Sequence, residues 1–472
     1  MLFRSALAAA LWPSGRTRPW LLPACAVPHA AVAFHLLVRG GGAVPGAWLA
    51  FDPVAAAVLP AVSLLFLVCS AYAVPYLRIR RERPNRVFVA SLLGVLALLS
   101  AGHQARHVGL LWIAVEGVTL ATVPLLHFNN QPRAFEATWK YLLVGGTGIA
   151  LSLLGSFCLG YASLHGGGTG DLTFDSLMRQ GPELSRPWML MAWTLLLVGY
   201  GTKMGLVPMH TWKPDAYGEA PGIVGAMLAG GVTTVAFTAL LRVRAVVGVA
   251  GEGGMADRSL LVIGMLSMGV AALFLLAARD FKRMLAYSSV EHMGILALGA
   301  SFGPAGVWAA LFHVWSNGLT KGALFLGAGN LRRAAGTASL PEARGLAWLA
   351  PVSARILVVG VFAITACPPF GPFFSELKIL GAGIDAGRWF AVAAFLVCLL
   401  FAFLGMTRLV LSAVDGRPPV AVRHHAEQFR ETVWVLAPPV ALLVLSAILG
   451  LFTPAVLQEA WSAATAALFP AP

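Results

Sequence analysis

Four ionisable side chains sit in stretches otherwise made of apolar residues. Glu116 lies in GLLWIAVEGVTLATVPLL, Lys203 in LLLVGYGTKMGLVPMHTW, Lys321 in LFHVWSNGLTKGALFL and Glu376 in CPPFGPFFSELKIL. A charge at bilayer depth costs at least about 2.5–3.5 kcal/mol on insertion scales, so each is a functional candidate by default. Two acids and two bases buried apart can pass a proton without a metal or a cofactor, because burial draws the titration of an acid and of an amine towards neutrality. They can equally cancel as static pairs, and composition leaves both readings open. Glu116 is too short to reach the interface from mid-span, whereas Glu376 has Lys378 two residues on as a local partner.

Spacing adds a second layer. His313, Asn317 and Lys321 fall at i, i+4 and i+8, on one face of a helix. A polar stripe ending in a base, inside an apolar helix, should face a hydrated interior or bond across to another helix. His292, beside Glu291, and His210 are weaker candidates, with Lys140 and Lys282. His29, His35, His103 and His107 lie near span ends and read as structural. The five cysteines show no CxxC or CxH spacing, so no metal site, cluster or disulfide framework is expected. Pro208 follows Lys203 by five residues, and Pro368, Pro369, Gly371 and Pro372 precede Glu376. Proline removes a backbone donor and blocks the contact to the preceding turn. Both helices should therefore break at membrane depth, each beside a buried charge. Paired breaks in two halves of a chain point to inverted repeats with a coupling site at each break.

The elements that must hold these groups are long apolar blocks. Of 472 residues 58% are apolar and 11% charged, far from the soluble pattern. Apolar spans run near 1–14, 19–38, 51–77, 87–104, 107–127, 137–161, 186–211, 221–243, 259–278, 283–302, 304–330, 348–381, 388–412 and 432–455. The first is too short to cross about 30 Å of hydrocarbon at 1.5 Å per residue. This is an all-α polytopic membrane protein of 13–14 transmembrane helices; the alternation that a β-barrel needs is missing. The net charge of +13 is scattered between spans as a topology signal, not gathered for nucleic acid. RIRRERPNR at 78–86 marks the cytoplasmic side, and loops on that side, which include Lys140, Lys213 and Lys282, are the more basic ones. The connection 162–185 reads as flexible, and 413–431, with His424 and His425, as a surface crossover. No loop is large enough for a soluble domain. The chain divides into N-terminal helices (1–85), a first repeat (86–243) broken near 203–208, a second (259–412) broken near 368–376, and a C-terminal helix and tail (413–472).

Five stretches make the sequence familiar: EATWKYLL (136–143), GTKMGLVPMHTWKPDAYGEAP (201–221), DFKRMLAYSSVEHMGIL (280–296), HVWSNGLTKGALFL (313–326) and PPFGPFFSELKIL (368–380). They resemble the antiporter-like proton-channel subunits of respiratory complex I, Mrp cation/proton antiporters and group 4 nickel–iron hydrogenases, the hydrogenase-4 component F type above all. The resemblance covers roughly residues 50–455. It implies a fourteen-helix fold with two inverted five-helix repeats, a hydrated Glu/Lys axis at mid-membrane and no cofactor. Carried over by position, Glu116 and Lys203 correspond to a coupled pair on the fifth and broken seventh helices. Lys321 and His313 belong to the eleventh, Glu376 to the broken twelfth, and Lys282 to the start of the tenth. Two positions depart from the pattern. Asn317 stands where many relatives have a second histidine, and Ala229 lies where complex I homologues often have one. After residue 455 no long lateral helix is expected, unlike the distal complex I subunit.

The expected function is that of a proton-translocating, non-catalytic subunit in a hydrogenase-4-like or complex I-like assembly in a bacterial inner membrane. Its partners would be other membrane-arm subunits and a soluble redox or hydrogenase arm, and the coupling ion H+ or Na+. The alternatives are the membrane subunit of a cation/proton antiporter or inorganic-carbon uptake system, and a scaffold that conducts nothing.

Overall fold

The computed structural model describes residues 2–42, 47–80, 83–340, 342–419, 422 and 429–470. Arg81 and Glu82 of the arginine-rich run, and residues 420, 421 and 423–428 of the crossover, Arg423, His424 and His425 among them, lie outside the described residues. The helices are α1 (Leu2–Leu11), α2 (Leu21–Arg39), α3 (Pro53–Ile79), α4 (Arg86–Gln104), α5 (Val108–Leu126) and α6 (Pro132–His165). A six-residue α7 (Phe174–Arg179) sits in the connection to α8 (Arg186–Met204), which is followed by α9 (Trp212–Glu219), α10 (Gly222–Met227), α11 (Thr233–Val247) and α12 (Gly253–Leu276). Then come α13 (Phe281–Ser301), α14 (Gly303–Ala335), the single turn α15 (Leu346–Leu349), α16 (Pro351–Ile364), α17 (Gly371–Asp385), α18 (Trp389–Val414), α19 (Val433–Leu451) and α20 (Ala455–Leu468).

Among the described residues, eight helical stretches are long and apolar enough by themselves to cross a membrane. This is fewer than the sequence blocks suggest, for a physical reason. The pairs α8/α9 and α16/α17 are interrupted, α13 and α14 carry the buried ionisable groups that lower their hydropathy, and the continuous stretch Gly222–Leu276 holds two spans, α10–α11 and α12. Counting each interrupted pair and α10–α11 as one rod recovers the expected long spans, with the ten-residue α1 as the short first. Two local differences stand out. The 162–185 connection is partly structured: Thr173 caps α7 and Arg106 pairs with Asp175. The tail folds as α20, which packs its buried Trp461 beside Trp308, Phe312 and Trp315.

Small residues let the rods close up, as they must where lipid supplies no hydrophobic drive between helices. Gly264 of α12 and Gly294 of α13 face each other so closely that a methyl on either would lie under 3 Å from the other's carbonyl oxygen. The 33-residue α14 is the axle, buried along most of its length. It is pinned to α3 by the Trp315 indole donating to the Ala57 carbonyl (2.7 Å) and by the Tyr72 hydroxyl on Asn330 Oδ1 (2.6 Å). Asn330 in turn donates to the Val435 carbonyl of α19. On one face a bidentate Arg242–Asp52 pair (2.6 and 2.9 Å) ties α11 to the start of α3.

The two breaks are built differently. The first occurs at Gly205, three residues ahead of Pro208. Gly205 takes φ +80°, its N–H bonds to the Thr202 carbonyl (3.0 Å), and the Leu206 N–H reaches back to Gly201 (2.8 Å). That is a Schellman ending, which glycine enters without a Cβ penalty. Pro208 lies inside the gap, whose Val207–Pro208 bond is cis. The second gap, 365–370, contains the cis Pro368–Pro369 bond. Pro372 is not in the gap: it occupies the first turn of α17, where a missing N–H costs nothing.

Candidate functional site

Glu116 is half-buried on α5, one turn from Thr119 and two from Thr122, and its Oε2 has no hydrogen-bond partner. Lys203, one residue before the last of α8, is fully buried, and its ammonium has no hydrogen-bond partner either. Instead Nζ lies 4.7 Å from the ring centroid of Tyr141 on α6, and Gly145 leaves it room. The Tyr141 hydroxyl meets Thr122 Oγ1 at 2.8 Å. Glu116 is the acid whose charge Lys203 feels, yet no ion pair joins them. Glu116 and Lys203 are therefore not in direct contact: the Lys203 ammonium rests on the Tyr141 ring.

Lys213 is the residue that sequence reasoning misassigned. Counted as a loop charge, it is fully buried in α9, on the far side of the first break. Its Nζ donates to the Met204 carbonyl (2.6 Å), one residue from Lys203, and to the Ser289 carbonyl of α13 (3.2 Å). Ser288, the next residue back, accepts from Lys321 Nζ at 2.6 Å. Lys213 thus stands between Lys203 and Lys321, and the charge of Lys321 acts on it. Its aliphatic stem fills the space that a side chain at residue 205 would need. The only sequence signal was its place in the 201–221 motif.

The second half is denser. Lys321 has two acids as charge neighbours, Glu291 first and Glu376 second. Glu291, noticed earlier only as the neighbour of His292, is 2% exposed with an unpartnered Oε1. Ser288, Glu291 and His292 share one face of α13, at i, i+3 and i+4. His292 Nδ1 lies 3.0 Å from His313 Nε2, the rings stacking at 5.1 Å, and 3.7 Å from Glu376 Oε1. His313 Nδ1 reaches Ser375 Oγ at 2.9 Å. Asn317, between His313 and Lys321 on α14, is buried with neither amide atom partnered. The α14 stripe is therefore an interior one, as the spacing predicts. Lys378 is exposed and lies over the Trp308 ring (5.3 Å), so it does not pair with Glu376.

Other expected residues fall off this line. Lys140 is exposed and paired with Glu136 (2.7 Å) and Asp215 (2.8 Å), at the surface. Lys282 is buried, but its ammonium donates to the Gly218 (2.8 Å) and Ala220 carbonyls. With Arg332, which bonds Gly218 and Glu219, it satisfies the C-terminus of the short α9. It is therefore neither a loop charge nor placed among the axis side chains. His210 lies in the first gap near Tyr287 with Nδ1 unpartnered. Ala229 sits in a π-helical turn (Leu228–Val232) and offers no ionisable group. Of the histidines read as structural, His29 bonds Ser100 (2.8 Å) and His107 caps the start of α5. The three donors His292, His313 and Glu376, from α13, α14 and α17, have ligand atoms within 4.8 Å of one another, a cluster invisible in sequence spacing.

Fold and site together define an integral membrane protein whose interior carries a line of acids, lysines and histidines across two broken helices. The chain belongs to the family described as NADH:quinone oxidoreductase/Mrp antiporter, transmembrane, whose signature matches residues 105–402. It is 36% identical over 340 residues to a hydrogenase-4 component F homolog of Methylacidiphilum infernorum, covering 71% of this chain and 70% of that one. It is 30% identical over 432 residues to NADH-quinone oxidoreductase subunit N of Desulforudis audaxviator, covering 88% and 84%. Its fold matches a chain of the Mrp complex of Dietzia sp. with a TM-score of 0.86 at 21% identity, over 99% of this chain and 96% of that one.

Proposed function

We propose that this chain is a proton-translocating, non-catalytic membrane subunit of a hydrogenase-4-like or complex I-like redox-driven assembly, seated in a bacterial inner membrane beside other membrane-arm subunits and a soluble arm. The observation that carries this reading is the continuity of the buried line: Glu116, Tyr141, Lys203, Lys213, Ser288, Lys321, then Glu291, Glu376, His292 and His313. Its groups are paired with dipoles and rings more than with countercharges, so moving a proton breaks few bonds. The similarity to a hydrogenase-4 component F homolog and a quinone oxidoreductase subunit supports the redox-driven version. In this reading the two breaks serve a first half-channel within 86–243 and a second within 259–412. Proton entry through Glu116 and exit past Glu376 are part of this reading.

The test is proton uptake by proteoliposomes holding the complete assembly. Glu116→Gln, Lys203→Ala, Lys321→Ala and Glu376→Gln should each assemble and each stop uptake. Uptake at the parental rate in any two of them would sink the axis. The likeness to an Mrp complex chain favours a second reading, a cation/proton antiporter. It requires uptake that depends on a Na+ gradient in place of a redox substrate.

A further inference from the structure

The dense end of the axis holds three donors whose capacity is not used up. His292, His313 and Glu376 are 1%, 0% and 1% exposed, and neither oxygen of Glu376 has a hydrogen-bond partner. His292 Nδ1 is 3.0 Å from His313 Nε2 and 3.7 Å from Glu376 Oε1. Four ligands at about 2.0–2.1 Å around a tetrahedral ion stand roughly 3.3 Å apart. Two observed separations bracket that edge and the third, His313 to Glu376, lies within 4.8 Å, so side-chain rotations that draw Glu376 inward can seat an ion. His313 is oriented from behind: Ser375 Oγ, itself 3.1 Å from the Gly371 and Pro372 carbonyls, lies 2.9 Å from Nδ1. With the proton on Nδ1, the lone pair on Nε2 faces the cluster. Such an outer-shell bond is what fixes the tautomer of a ligating histidine.

We propose that His292, His313 and Glu376 form a binding site for a divalent transition-metal ion of the zinc type, and that its occupancy blocks the second half of the proton axis. Two imidazoles and one carboxylate suit zinc or cobalt; magnesium and calcium call for all-oxygen shells. The fourth position is left for water. Lys321 and Lys213 act on the same histidine and oppose a dication, which sets this site apart from a permanent structural centre. Ligation removes the two lone pairs that would otherwise carry the proton between His292 and His313. The blocking half of the proposal rests on the axis proposed above; the binding half does not.

The experiment uses the full chain in nanodiscs, purified without a histidine tag and carrying His424→Gln and His425→Gln to remove the adjacent-histidine competitor. Cobalt is titrated in and read by its visible spectrum, with zinc as competitor. One equivalent of tetrahedral cobalt is expected, lost in His313→Gln and in Glu376→Gln. Ser375→Ala, a milder change that leaves all three ligands in place, should weaken binding by about tenfold. No tetrahedral band, or a band unchanged in Glu376→Gln and Ser375→Ala, overturns the site. In proteoliposomes of the complete assembly, zinc should stop proton uptake, and Ser375→Ala should raise the inhibiting concentration by the same factor. Uptake that continues with zinc bound overturns the block. A chain with the expected cobalt spectrum but no uptake under any condition keeps the site and overturns the axis.

Discussion

The two ends of the buried line carry the same chemistry on different scaffolding. Around Lys203 the ammonium has no hydrogen-bond acceptor and rests on an aromatic face, with Glu116 beyond it. Around Lys321 the ammonium is held by Ser288, two acids act on it, and two histidines and a serine continue the chain of contacts. A buried group without a partner costs free energy that any movement towards a partner recovers. The lysine of the first end is thus sprung and that of the second wired; at the second end the unpartnered atoms belong to Glu291, Asn317 and Glu376. Lys213 couples them, because it bonds the carbonyl beside Lys203 and the one beside Ser288.

Removal of the two lysines should separate these characters. Lys203→Ala and Lys321→Ala should each lower proton uptake by about a hundredfold or more, the scale expected when an acid–base group is lost. Their effects on folding should part company. Losing Lys321 leaves Ser288 without its donor and Glu291 without its nearest opposite charge, a cost of about 1–3 kcal/mol, whereas losing the unbonded Lys203 should leave thermal stability unchanged or raised. Equal stability changes in thermal unfolding would erase the contrast.

Lys213→Arg is the next largest effect. Arginine retains charge and donors but cannot release its proton. If Lys213 only ties carbonyls, the variant should transport normally; if it relays, uptake should fall by about tenfold on the scale of a missing acid–base step. Gly205→Ala offers the same test from the other side, since its methyl would meet Lys213 Cδ at 2.5 Å.

A smaller change is expected at Asn317. Asn317→Leu should slow uptake by a factor of about three to ten by removing the polar step between His313 and Lys321, and Asn317→His should be tolerated. Parental uptake by the leucine variant would make Asn317 a packing residue. Lys140→Ala should be the mildest, less than about twofold, as befits an exposed surface pair. A large loss there would move the proton entry to the surface that carries Lys140.

Legibility in the sequence followed whether a residue's role is set by its neighbours in the chain or by those in space. Apolar blocks fixed the helical membrane fold, since a span of about 20 residues in hydrocarbon has to satisfy its own backbone. An i, i+4, i+8 spacing was enough to place His313, Asn317 and Lys321 on one face, because helix geometry is local. Charge within an apolar run likewise marked Glu116, Lys203, Lys321 and Glu376. Nothing local distinguishes a lysine at a loop from one folded under a broken helix. Lys213 and Lys282 look alike in a basic, polar stretch, yet one bonds across to α13 between two buried lysines and the other caps α9. Tertiary packing alone made that choice, by deciding which carbonyls were left open at the breaks. It also brought Glu291 to Lys321, set the Tyr141 ring against Lys203, and gathered His292, His313 and Glu376 from three helices, contacts that depend on the crossing of rods far apart in sequence.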